Sequence, residues 1–210
     1  MEENKSHLGA ANQSSRNNGG QGKETVAGGI MAYLHDFVWL LTVILFVFML
    51  IFRVVIVSGP SMQATLLDGD YLFLVGNLFY NNPQQGDIIV ASKESFRDGE
   101  PIVKRVIATE GQKVDIDFTL GVVYVDDVPL DEPYTLTPTN MQEGLGFPIT
   151  VDDNCVFVMG DNRNDSKDSR SNEIGQIDCR EILGKAVFLI FPGNNKGSMP
   201  RDFNRIGVLQ

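Results

Sequence analysis

The stretch IVKRVIA, residues 102–108, is a short apolar run with a lysine near its centre, and Pro101 lies just before it. Branched apolar residues bounded by Gly, Pro or Asp predict a β-strand. Five similar runs occur in the chain, without helical periodicity or an internal repeat between them. The sequence therefore predicts a mainly β domain, a folded-over antiparallel sheet or a barrel-like sandwich. The predicted strands are 71–75, 87–92, 102–108, 122–125, 155–160 and 186–191.

One stretch between these strands has a different character. Residues 126–150, DDVPLDEPYTLTPTNMQEGLGFPIT, are rich in turn formers and show no periodic pattern. We predict an irregular excursion on the surface.

An uncharged run, FVWLLTVILFVFMLIF at residues 37–52, precedes the β domain. With its flanking apolar residues it reaches the ~20 residues that cross a bilayer as a helix. A buried core helix and a cleaved signal peptide are the alternatives. The first is rarely so uniformly apolar in a small domain, and the second has a shorter apolar run before its cleavage site. We predict an uncleaved anchor over residues 33–57.

The anchor divides the chain into three parts. Residues 1–32 contain few large apolar side chains and are predicted to form a flexible tail. Residues 58–210 form the β domain. Three basic residues, Lys5, Arg16 and Lys23, precede the anchor, while only Arg53 follows it closely. Because cytoplasmic flanks are enriched in Lys and Arg, we expect a cytoplasmic tail and an extracytoplasmic domain.

The net charge of the chain is −10. Residues 1–57 hold four acids and four bases, so the whole negative excess lies beyond residue 57. An acidic domain repels phosphate backbones, which argues against nucleic acid as a partner. It gains nothing from anionic lipid either, so any contact with membrane lipid must be apolar.

The two cysteines, Cys155 and Cys179, both lie in or near apolar stretches. Buried, unreactive thiols are the simpler interpretation. A disulfide between them stays open outside the cytosol. Their spacing is not that of a zinc site, and no metal or cofactor is expected.

Histidine is too scarce to serve as a catalytic base here. His7 lies in the predicted tail and His35 at the membrane boundary, so neither can reach a site in the β domain. This excludes Ser–His–Asp and Cys–His arrangements. A serine nucleophile would then need a lysine whose pKa is lowered by burial.

Lys104 is the candidate for that base. Ile102 and Val106 occupy the same face of the predicted strand on either side of it, and poor hydration between them favours the neutral amine. The alternative is a lysine on an edge strand whose ammonium reaches water, and this segment alone leaves the two equally open.

Ser61 is the candidate nucleophile. It follows Gly59 and Pro60, which force a turn shortly after the anchor. Its own N–H could contribute to an oxyanion hole. An ordinary turn serine is the alternative, and for an isolated serine it would be favoured.

The segment GDNRNDSKDSR, residues 160–170, concentrates charged side chains directly after an apolar run. Exposed ion pairs contribute only about 0–1 kcal/mol each, so stability is a poor explanation for so specific a cluster. Support for a catalytic group is a better one.

Taken in order, these segments resemble the type I signal peptidases, from the anchor through most of the chain. The resemblance rests on a series of motifs that follow a single anchor. They are SM-x-x-TL (61–66), GDIIV (86–90), KRVIATEG (104–111), GDNRNDSKDSR (160–170) and IGQI (174–177).

The resemblance implies a Ser–Lys serine endopeptidase that removes signal peptides from exported preproteins at the outer face of the cytoplasmic membrane. Its fold would be a pair of antiparallel sheets, and the secretion translocon would be a further partner. Ser61 would be the nucleophile, Lys104 the base, and Ser166 the serine that hydrogen-bonds the lysine. Residues matching the family's ion-pairing positions are Asp161, Arg105, Asp168 and Arg170.

Two positions depart from the family pattern. Ala64 replaces the usual proline of SM-x-PT, which should loosen the backbone after the nucleophile. Gly59 stands where some relatives carry a serine whose hydroxyl assists the oxyanion, so backbone N–H groups would do this alone. Losing one oxyanion donor typically costs ~2.7–4 kcal/mol in other enzymes.

Two other functions compete with this one. A self-cleaving Ser–Lys protease of the repressor kind would need a DNA-binding module, and the acidic domain and apolar anchor argue against it. An inactive relative could bind signal sequences or scaffold a secretion complex. Ala64 favours that idea slightly, whereas the presence of Ser61, Lys104 and Ser166 weighs against it.

Overall fold

A computed structural model describes residues 26–209 of the chain. Residues 1–25, which hold most of the predicted flexible tail, and Gln210 lie outside them. The first element is helix α1 (Val26–Ile51). Its 21 residues Gly29–Met49 are long and apolar enough to cross a membrane, and residues 30–49 are all exposed. A core helix would bury these side chains, so that alternative is excluded.

The helix and the predicted anchor do not share boundaries. The helix includes residues 26–32, which the prediction placed in the tail. It ends at Ile51, and Phe52–Ile56 form the first strand. Valine and isoleucine in that segment suit a strand as well as a membrane helix, and pairing with a neighbouring strand decides the outcome.

Twelve strands follow the helix in residues 52–209. All six predicted strands are among them. They are β1 (Phe52–Ile56), β2 (Tyr71–Gly76), β3 (Ile88–Ala91), β4 (Ile102–Thr109), β5 (Lys113–Asp117), β6 (Val122–Val125), β7 (Val128–Pro129), β8 (Ile149–Thr150), β9 (Cys155–Met159), β10 (Ile177–Asp178), β11 (Ile182–Phe191) and β12 (Gly207–Val208).

The strands form two antiparallel sheets, as predicted. The larger sheet has the order β1-β2-β11-β3-β4-β9-β10. The first part of β11 pairs with β3, and its later part pairs with β12. The smaller sheet has the order β7-β6-β5-β8. Strand β4 is interior, because it pairs with β3 on one side and β9 on the other.

Three apolar clusters form the core. One packs Met62 and Leu66, from the turn after β1, against Leu72 and Leu74 of β2. A second packs β3 against β9 and the segment that follows it. The third joins the smaller sheet to the ends of β4 and β9. The turn that carries Ser61 is therefore fixed to the core directly.

The two cysteines are free, and two apolar residues after β2 are exposed. Cys155 and Cys179 are half-buried free thiols, and burial raises the pKa of both, which keeps them protonated and unreactive. Leu78 and Phe79, in the turn after β2, are 74% and 57% exposed.

Candidate active site

Ser61 lies in a turn that is held on both sides. Gly59 has a φ of +92°, a conformation that glycine adopts without a steric penalty, and its N–H donates to the Asp68 carboxylate at 2.7 Å. After the serine, the side chains of Met62 and Leu66 are buried in the core. The turn therefore has little freedom to move, as expected from the Gly59–Pro60 sequence.

Lys104 lies on the interior strand β4 and only 4% of it is exposed. The alternative of an edge-strand lysine with its ammonium in water is therefore wrong. Ile102 and Val106 belong to the same apolar cluster, as the period of the strand predicts. Burial of this kind disfavours the charged form of the amine.

The two candidate residues meet. Lys104 Nζ lies 2.8 Å from Ser61 Oγ and 3.0 Å from the Val103 carbonyl oxygen. Burial lowers the pKa of Lys104 to about 8, while the carboxylates of Asp168, Glu143 and Asp161 act in the opposite direction. With a pKa of about 8, about a tenth of the amine is neutral at pH 7 and about nine tenths at pH 9.

Ser166 lies at the site but makes a different contact from the one expected. Its hydroxyl donates to Asp168 Oδ2 at 2.9 Å, and the same oxygen accepts from the Gly160 N–H at 3.0 Å. The hydrogen bonds of Lys104 to described residues go to Ser61 and Val103 instead. The expected hydrogen bond between Ser166 and Lys104 is therefore not among the contacts of the described residues.

The predicted ion-pairing residues form two buried pairs. Arg105 donates to both oxygens of Asp161, at 2.9 and 2.8 Å. Arg170 donates to both oxygens of Asp168, each at 2.8 Å. All four residues are at most 1% exposed. Unlike exposed ion pairs, these remove charge from water and need excellent geometry to do so, which the two-point contacts supply.

Thr65 links the Asp161 pair to the turn of Ser61. Its hydroxyl donates to Asp161 Oδ2 at 2.5 Å. The sequence motif included this threonine, but assigned it no role.

Gly160 is a site residue that sequence reasoning missed. A Cβ added there would lie 2.2 Å from Ser166 Oγ and 2.4 Å from the Ser61 carbonyl oxygen. The adjacent loop also holds the turn, because the Asn162 N–H donates to that same carbonyl at 3.0 Å. Only glycine permits this approach. Its place at the head of the 160–170 motif was the available signal.

The excursion over residues 126–150 is irregular between its ends, but its ends form β7 and β8 of the smaller sheet, which the prediction of an irregular stretch left out. The excursion also covers the charged residues of the site. Glu132 pairs with both terminal nitrogens of Arg163, and Thr139 accepts from the same guanidinium at 2.9 Å. The Tyr134 ring stacks 3.9 Å from the Arg105 guanidinium. The turn-rich sequence of this stretch gave no sign of these contacts.

A cleft runs past the serine–lysine pair. It is lined by residues 55–61, which continue β1, and by residues 101–104. Residues 164–167 and Glu143 also line it. A hydroxyl beside a poorly hydrated amine, in an open cleft, is an arrangement that suits nucleophilic catalysis without histidine.

Comparison with known proteins gives the family. The family described as signal peptidase, peptidase S26, matches residues 30–191. A probable signal peptidase I-1 of Synechocystis sp. is 37% identical over 68% of this chain and 73% of the relative. A signal peptidase I of Bacillus licheniformis is 34% identical over 69% and 79%, respectively. The chain belongs to this family and is a serine peptidase, so the resemblance seen in the sequence is confirmed.

One solved structure is also similar, a signal peptidase I from Enterococcus faecalis. It is 29% identical, and the match covers 50% of this chain and 96% of that one, with a TM-score of 0.41.

Proposed function

We propose that this protein is a membrane-anchored serine endopeptidase that removes N-terminal signal peptides from exported preproteins, with Ser61 as nucleophile and Lys104 as general base. The contact of 2.8 Å between Lys104 Nζ and Ser61 Oγ, at a lysine that is 4% exposed, carries the proposal. The names of the relatives, probable signal peptidase I-1 and signal peptidase I, supply the substrate class.

The reaction is an acyl transfer in two steps. Neutral Lys104 accepts the proton of the Ser61 hydroxyl, and Oγ attacks the scissile carbonyl carbon of the preprotein. The resulting ammonium protonates the leaving amine, which departs as the mature protein and leaves an acyl-enzyme. Water, deprotonated by the neutral lysine, then hydrolyses the ester and returns the serine hydroxyl.

Backbone N–H groups hold the oxyanion in this proposal. Among residues 26–209, no protein acceptor pairs with the Ser61 N–H, which leaves it available to a developing charge. The Gly59 N–H is already bound to Asp68, and Pro60 has none. A second donor must therefore be a group other than these two.

The substrate lies extended in the cleft between residues 55–61 and 101–104. Extended peptides bind beside strands through main-chain hydrogen bonds, with pockets for alternate side chains. By analogy with the family, the residue before the cut is small, such as alanine.

Helix α1 anchors the enzyme in the cytoplasmic membrane. The basic residues that precede it, Lys5, Arg16 and Lys23, keep the segment before the helix in the cytoplasm. The β domain that follows the helix then lies outside, where the translocon delivers preproteins. The exposed side chains of Leu78 and Phe79 are candidates for contact with membrane lipid.

Incubation of a preprotein with the purified full-length protein in detergent micelles tests the function. The wild type should release the mature protein, and Ser61→Ala should release none while keeping the wild-type melting temperature. Cleavage by Ser61→Ala would refute the assignment of the nucleophile. An inactive but folded wild type would favour a binding or scaffolding role.

A further inference from the structure

The segment after β11 folds back onto the turn that carries the nucleophile. Gly193 makes the closest approach, because a Cβ added there would lie 2.3 Å from the Asp68 carbonyl oxygen and 2.6 Å from the Asp70 nitrogen. The Gly193 N–H donates to Asp70 Oδ1 at 2.6 Å. Nearby, Gln63 donates to the Asn195 side chain at 3.3 Å. The C-terminal segment is thus in backbone contact with residues 68–70.

Asp70 and Arg205 form the centre of this contact. Asp70 is wholly buried. Arg205 binds both of its oxygens, at 3.0 and 2.6 Å. The short 3-10 turn Phe203–Arg205 presents the arginine, and the Asp202 carboxylate caps that turn. Asp70 also accepts from the Leu67 N–H at 2.7 Å, which ties the pair to the end of the nucleophile turn.

Arg205 makes a second contact that bears on the site. Its Nη2 donates to the Thr65 carbonyl oxygen at 3.1 Å. The hydroxyl of the same threonine donates to Asp161, whose other partner is Arg105, the residue after Lys104. Thr65 is therefore held at two groups: its carbonyl by the C-terminal segment, and its hydroxyl by the charged pair beside the lysine.

We propose that Arg205 is a positioning residue that fixes the turn of Ser61 against Lys104 through Asp70 and the Thr65 carbonyl. This inference rests on the proposed function of the serine–lysine pair. Arg205 does not touch the reacting atoms. It acts on the distance and angle between the hydroxyl and the amine, to which acyl transfer is very sensitive.

Two substitutions at Arg205 and one control test the inference. Arg205→Met removes both contacts. A displacement of about 1 Å in reacting groups costs about 100-fold in rate, so we expect kcat to fall by about that factor with KM within twofold. Arg205→Lys keeps the charge but loses the two-point geometry, and we expect a fall of about tenfold.

The control is Arg201→Met, in the same segment. Arg201 donates to the Pro192 carbonyl at 2.7 Å and stacks on Phe191, and neither contact includes a residue of the nucleophile turn. Its kcat should stay within twofold of wild type.

In the Arg205 variants the pH at half-maximal kcat/KM should equal that of the wild type, because the burial of Lys104 is unchanged. Only the maximal value of kcat/KM at high pH should fall.

The measurements separate a positioning role from a structural one. Arg205 variants that melt at a lower temperature but keep the wild-type kcat below their melting temperature would overturn the inference. If Arg205→Met does not fold, the test rests on Arg205→Lys. A wild-type kcat in that variant would also overturn the inference. Preprotein cleavage by the wild type, absent in Ser61→Ala, establishes the proposed function independently, so failure of the two ideas can be told apart.

Discussion

The burial of Lys104 predicts a measurable effect on stability as well as on activity. Its pKa falls from 10.5 to about 8 on folding because the amine leaves water. At ~1.4 kcal/mol per pKa unit, this corresponds to about 3 kcal/mol. Below pH 8 the folded protein buries an ammonium and bears this cost in full. Between pH 8 and 10.5 the unfolded chain binds more protons than the folded one, so stability rises with pH.

Lys104→Met removes the titrating group and keeps an apolar stem of similar size. The variant should therefore be inactive, and its stability relative to wild type should be greatest below pH 8. That advantage should shrink by about 3 kcal/mol as pH rises to 10.5. For a chain of this size, about 3 kcal/mol corresponds to about 6–12 °C in melting temperature. The variant also loses the hydrogen bonds to Ser61 and Val103. Their contribution to the stability difference is the same at every pH, so it cancels when the differences at two pH values are compared.

The assay is thermal melting of both full-length proteins in the same detergent at pH 7, 8.5 and 10, with preprotein cleavage measured in parallel. Other groups titrate equally in the two proteins and cancel in the difference. Wild-type kcat/KM should rise with pH through about 8, where the amine becomes neutral. A melting difference that does not change with pH, or cleavage by Lys104→Met, would refute the reasoning.

Three further substitutions probe the surroundings of the pair. Gly160→Ala should lower kcat by about 100-fold, since its Cβ would lie 2.4 Å from the Ser61 carbonyl oxygen. Glu132→Gln leaves a buried guanidinium without its partner charge and should destabilise the protein by about 3 kcal/mol in chemical denaturation. Glu143→Gln removes a carboxylate that raises the pKa of Lys104, so the midpoint of the pH–rate profile should move to lower pH.

Matched variants control for these changes. Gly146→Ala adds a methyl group where nothing lies within 4 Å, and its kcat should equal that of wild type. Glu173→Gln breaks an exposed pair with Lys167 and should change stability by less than about 1 kcal/mol. Equal losses of stability in Glu132→Gln and Glu173→Gln would contradict the account of the buried ion pairs. A pH midpoint of Glu143→Gln that is unchanged or higher would contradict the account of the lysine pKa.

Local patterns predicted much of the fold, since all six apolar runs form strands. For Ser61 and Lys104 local patterns left the alternatives open, and the family resemblance supplied their roles. The prediction placed strand β1 in the anchor, because the apolar residues of Phe52–Ile56 continue the apolar run beyond Arg53. Strand β5 was missed, since its sequence KVDID contains two aspartates, which are rare in strands. Its pairing with β6 and β8 overrides that preference.

Long-range charge pairs could not be predicted from the sequence. Arg205 lies 135 residues from Asp70, and Glu132 lies 31 residues from Arg163. Neither spacing carries a signal, because the partner of a charge depends on which loops the topology brings together. The pairing of Asp161 with Arg105 was predicted only through the family resemblance. The contact of Ser166 with Asp168, in place of Lys104, shows the limit of that route.

The buried ion pairs also affect the charge around Lys104. A carboxylate near Lys104 favours its ammonium, which opposes the burial that makes the amine a base. Yet Asp161 and Asp168 are needed, because they bind the Ser61 turn through Thr65 and the Gly160 N–H. Pairing each carboxylate with a guanidinium reduces this conflict: the oxygens still anchor the backbone, while the positive charge of the arginine opposes their effect on the lysine. A neutral anchor such as asparagine could not accept as many hydrogen bonds, and an unpaired aspartate would act on the lysine with its full charge.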